Sequence, residues 1–96
     1  MKTYVVNSWR YPDLVDVSIM RPSIWGNPFR IGRDGSRQDV LVKYEAYARA
    51  RIREDPVFRA QVRSLYGQVL GCCCKPLACH GDVLVILANE LHEEGA

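Results

Sequence analysis

Ninety-six residues, 48% of them hydrophobic and 25% charged, suit one compact domain with one core and leave too little chain for a second. The net charge of +2 is too weak to imply a nucleic-acid partner. No stretch approaches the roughly 18–20 uninterrupted apolar residues that span a bilayer, so no membrane partner is expected.

The opening "MKTYVVNSWRYPDL" has no apolar signal core, and all four cysteines fall in one clump rather than tying distant parts of the chain. A cytoplasmic protein with reduced thiols is expected. Charge is uneven: nine Lys or Arg and five Asp or Glu lie between Arg30 and Arg63, whereas residues 82–96 hold four acids and no Lys or Arg. The basic middle reads either as an ordinary solvated face or as a surface that attracts an anion.

In chain order, "TYVVNS" (3–8) and "LVDVSI" (14–19) have strand composition. "RPSIWGNPFRIGRDGSR" (21–37) is rich in Pro and Gly and reads as a long ordered loop. Ser36 and Asp39 can cap a helix whose apolar stripe is Val40, Leu41, Tyr44, Ala48 and Ile52. Asp55-Pro56 restarts a helix that buries Val57, Phe58, Val62 and Leu65, and Gly67 ends it. "QVLGCCC" (68–74) reads as a buried strand and "GDVLVILANELHEE" (81–94) as a helix. The expected fold is α/β: one small domain over residues 1–96, its core at about 3–92, with a short, mainly parallel sheet of about three strands and flanking helices. Ligands of such folds gather at the carboxyl ends of the strands.

"GCCCKPLACHGD" (71–82) is that kind of strand-to-helix turn. Strand alternation places Cys72 and Cys74 on one face and Cys73 on the other, as core filling. The cluster admits four readings. Cys72, Cys74, Cys79 and His80 have the ligand types of a zinc site, although C-x-C-x4-C-H is not the usual knuckle spacing. Cys79 at a helix N-terminus, with His80 or Asp82 handling a proton, suits thiolate chemistry. The same N-terminus, with Gly81 allowing close approach, suits a phosphate or carboxylate. The fourth is plain packing.

The blocks "VVN", "RPSIWGNPF" and "GCCCKPLACHGDVL" resemble those of an uncharacterised phage and bacterial family, a domain of unknown function. The resemblance spans residues 4 to about 89 and points to the site without naming a reaction. The resemblance implies that many relatives carry Trp at the position of Cys73, which argues against a dedicated role for that thiol. The middle block offers Arg21 for charge, Ser23 and Asn27 for hydrogen bonds, Trp25 for stacking and Gly26 in a shaped turn; Asn7 closes the first strand beside it. The leading expectation is a cleft between the Arg21–Phe29 loop and the Cys72–Asp82 turn that takes a small anionic, nucleotide-like ligand. The competing expectation is a non-enzymatic module in which zinc supports basic helices on nucleic acid.

Overall fold

The computed structural model describes residues 3–95. Met1, Lys2 and Ala96, which the sequence reading counts within the domain, lie outside the described residues. The elements run β1 (Tyr4–Asn7), a 3-10 turn (Pro12–Leu14), β2 (Val17–Ser18), α1 (Arg37–Glu54), α2 (Pro56–Ser64), β3 (Val69–Cys72) and α3 (His80–Gly95). The strands form one parallel sheet in the order β1-β3-β2, with Val5 opposite Leu70 and Val17 also opposite Leu70. The small α/β domain with a three-stranded parallel sheet is thus the observed fold. No helix among the described residues is long and apolar enough to cross a membrane.

Local chemistry accounts for the helix boundaries. Ser36 Oγ accepts from the Asp39 N–H and the Asp39 carboxylate accepts from the Ser36 N–H, a reciprocal capping box that starts α1. Asp55 closes α1 and caps α2, its carboxylate accepting from the Val57 and Phe58 N–H groups at 3.0 and 3.1 Å. Val40, Tyr44, Ala48 and Ile52, four residues apart, form the buried face of α1. Leu41 is only half-buried, and Val57, expected inside, is exposed because it leaves the α2 face carrying Phe58 and Val62.

Helix α3 contacts both the sheet and the α1–α2 pair. The core between them holds Ile19, Trp25, Phe58, Leu65, Leu70, Cys72, Cys79, Leu84 and Leu87, among others. Two glycines permit close approaches between the sheet and its neighbours. At Gly71, in the central strand, a Cβ would stand 2.4 Å from Ser8 Oγ and 2.7 Å from both Val15 methyls, so the β1–β2 connection lies directly on the sheet. At Gly81, in the first turn of α3, it would meet Ile19 Cδ1 at 2.7 Å and a Val5 methyl at 2.9 Å. Gly81 therefore serves helix-on-sheet packing rather than access of a ligand to the backbone.

Candidate functional site

Strand β3 ends at Cys72, and the chain turns through Cys73 to Ala78 before α3 begins. Alternation therefore stops one residue before Cys73. Cys72 is buried, Cys74 half-buried and Cys73 exposed, so the assignment of Cys73 to the core is corrected: it sits on a turn that no longer alternates.

The two blocks face each other across a cleft of about 350 Å³, within the usual size range of small-molecule sites. Arg21, Asn27 and Phe29 from the long loop line one side, Arg37 and Leu41 from the start of α1 another, and Cys72 to Cys74, Cys79 and His80 the floor. Arg30 and Ile31 complete the rim. The lining carries three arginines and no carboxylate. Arg37 is anchored, its Nη1 donating to the Ala78 carbonyl at 3.0 Å. Arg30 and Arg37 were not singled out as site residues by sequence reasoning. Their signal was the excess of basic residues in the middle of the chain, which has no periodicity to mark which members converge.

Cys72 Sγ and Cys79 Sγ stand 3.1 Å apart in the floor. The Cys72 sulfur is in hydrogen-bond contact with the Cys79 sulfur and faces the backbone N–H groups of Cys74 and Lys75, with the Lys75 ammonium nearby, and these hold its pKa well below the ordinary thiol value. Cys79 moves the other way: the adjacent Cys72 sulfur, burial and the Asp82 carboxylate all disfavour a second negative charge. Negative charge on the pair is therefore favoured at Cys72 rather than at Cys79, the thiol expected from the sequence: besides the Cys79 contact, two backbone N–H groups of the turn after β3 face Cys72.

His80 is committed elsewhere. Its Nε2 lies 2.8 Å from the Ile19 carbonyl, which can only accept, so that nitrogen carries hydrogen. The ring stands edge-on to Tyr44 with centroids 5.1 Å apart, and burial lowers its pKa. Tyr44 in turn donates its hydroxyl to the Trp25 carbonyl at 3.0 Å. His80 therefore joins the end of β2 to α3 as a neutral imidazole. Asp82 caps the same helix, accepting the Cys79 N–H at 3.1 Å while its other oxygen pairs with Lys75. The start of α3 is thereby served by its own carboxylate, and the Gly81 N–H faces the Cys79 sulfur. An added phosphate there would compete with Asp82, so the place expected to take an anion at this N-terminus is already taken by the chain's own carboxylate.

The remaining predicted residues divide in the same way. Trp25 is 6% exposed, its ring packed on Phe58 with centroids 5.7 Å apart, so it has no free face for a ligand; half-buried Phe29 is the aromatic group in the cleft wall. Ser23 Oγ accepts the Trp25 N–H at 3.3 Å, and a Cβ on Gly26 would stand 2.8 Å from Arg21 Cγ. Both shape the loop. Asn27 borders the cleft but accepts the Phe29 N–H at 2.9 Å, a local turn bond. Asn7 donates to the Lys75 carbonyl at 2.8 Å and accepts from the Trp9 and Arg10 N–H groups. It lines a separate depression with Arg10, Tyr11 and Pro76. Among the described residues, no three His, Cys, Asp or Glu side chains are grouped so as to hold a metal ion. Cys72, Cys74, Cys79 and His80 do not form the expected zinc set, since Cys72 and Cys79 pair with each other and His80 bonds a carbonyl.

The chain is 36% identical over 91 residues to an "Uncharacterized 12.4 kDa protein in nrdA-td intergenic region" of Enterobacteria phage T4, covering 94% of this chain and 81% of that protein. No solved structure matches. Residues 3–90 match the Domain of unknown function (DUF4326), and the chain belongs to that family.

Proposed function

We propose that the cleft binds a small anionic, nucleotide-like ligand. The observation that carries the reading is the lining: three arginines, no carboxylate, and an apolar wall of Phe29, Ile31 and Leu41, at the carboxyl end of the central parallel strand. Guanidinium groups match phosphate oxygens with paired, charge-assisted hydrogen bonds. Arg21 and Arg30 would supply the charge from the loop, Arg37 would offer the edge not used by the Ala78 carbonyl, and the apolar wall would receive the ring. This arrangement replaces stacking on Trp25 by contact with Phe29.

Isothermal titration calorimetry with nucleoside mono-, di- and triphosphates, and with inorganic phosphate, tests the reading. Binding should saturate and tighten with phosphate number. Arg21→Ala and Arg30→Ala should each weaken it about tenfold or more, since a hydrogen bond to a charged group contributes about 1.5–3 kcal/mol. Absence of binding to every nucleotide, or equal affinity in the double variant, overturns it.

A further inference from the structure

The sulfur pair in the cleft floor has a chemistry of its own that does not depend on the ligand. Cys72 and Cys79 come from opposite ends of the turn between β3 and α3, yet their sulfurs are 3.1 Å apart, about 1 Å from the roughly 2.05 Å of a disulfide bond. Both are free thiols, with the residues only 1% and 2% exposed. Two backbone N–H groups and the Lys75 ammonium favour negative charge on one sulfur, while the other retains a proton. Cys73 and Cys74 lie outside this contact, one exposed and the other half-buried.

We propose that Cys72 and Cys79 are a redox-active dithiol that closes to an intramolecular disulfide, with hydrogen peroxide as oxidant and a small dithiol as reductant. Hydrogen peroxide is preferred as oxidant because it is the smaller reagent and both sulfurs, though nearly buried, line the cleft floor. The Cys72 thiolate attacks one peroxide oxygen. The O–O bond breaks, hydroxide leaves, and Cys72 becomes a sulfenic acid. The Cys79 sulfur then attacks the Cys72 sulfur, the S–O bond breaks, and water leaves carrying the Cys79 proton. The two sulfurs lose two electrons in all, and the peroxide is reduced to water and hydroxide. A small dithiol reverses the step by thiol–disulfide exchange, ending as its own disulfide.

The test uses the full chain carrying Cys73→Ser and Cys74→Ser, which leaves the core pair intact. After hydrogen peroxide treatment and denaturation, the expected result is a mass lower by two hydrogens, no thiol open to alkylation, and both thiols restored by dithiothreitol. Adding Cys79→Ala should convert the product to oxygen adducts on Cys72, because no partner remains to resolve the sulfenic acid. Thiols still open to alkylation, oxygen adducts with the pair intact, or disulfides between chains overturn the proposal. Nucleotide affinity does not enter this readout, so failure of the dithiol and failure of the binding reading are separable.

Discussion

Trp25 decides between two accounts of the long loop, and replacing it separates them. Its ring is 6% exposed and packs on Phe58 within the cluster that also holds Tyr44 and Leu84. Truncating a buried Trp to Ala costs about 3–5 kcal/mol through lost transfer energy and an unfilled cavity. A domain of this size has about 5–15 kcal/mol in total, so Trp25→Ala should remove a fifth or more of the stability and lower Tm by about 12–40 °C. The hydrogen bond from Tyr44 goes to the Trp25 carbonyl and survives the substitution, so the loss measures packing. Trp25→Phe keeps an aromatic ring against Phe58 and should cost about half as much or less. Urea denaturation followed by circular dichroism measures both variants without interference from Trp9, which is 76% exposed. If Trp25→Ala unfolds within about 0.5 kcal/mol of the natural chain, the range of an ordinary surface substitution, and loses nucleotide binding instead, Trp25 belongs to the ligand site and the packing argument is wrong.

Gly81→Ala tests the closeness of α3 to the sheet. Helix propensity favours Ala by up to about 1 kcal/mol, but overpacking against fully buried Ile19 and against Val5 costs about 1–3 kcal/mol. A net destabilisation of about 1 kcal/mol is expected from the urea midpoint, and a more stable variant would refute the contact. His80 is buried neutral, with its pKa below the ordinary imidazole value of 6.5. Its contribution to stability is therefore full above 6.5 and declines as pH falls toward the folded pKa, since the unfolded chain takes up the proton first. Replacing it with Gln, which still offers an N–H to the Ile19 carbonyl, should flatten the dependence of unfolding free energy on pH in that window; an unchanged slope assigns it to other groups.

Much of the architecture was readable because it follows from local chemistry. The capping box at Ser36 and Asp39, the four-residue stripe of α1 and the Asp55-Pro56 restart are rules of neighbouring residues, and they appear where expected. The second strand shrank from the expected 14–19 to Val17–Ser18, because Pro12–Leu14 takes up a 3-10 turn and only two residues pair with β3. Sheet order could not be read, since placing β3 between β1 and β2 depends on how Gly71 lets Ser8 and Val15 lie across it.

The convergence of the loop and the cysteine turn on one cleft was legible in the sequence, and the contacts of the individual residues were not. Arg21, Cys72 and His80 do share one cleft. Trp25 and Phe29 are both aromatic residues in one loop, and only three-dimensional packing decides which ring is buried. Charge is favoured at Cys72 rather than Cys79 because the Cys79 contact and backbone N–H groups, invisible in a string of side chains, converge on it.

Backbone amide chemical-shift mapping during titration with a nucleoside triphosphate tests most directly that the distant blocks share one binding cleft. Shifts concentrated in residues 21–31, at Arg37 and in residues 72–80 are predicted, with the α2 surface unchanged. Perturbation of one block alone, or of the outer faces of α1 and α2, would contradict it.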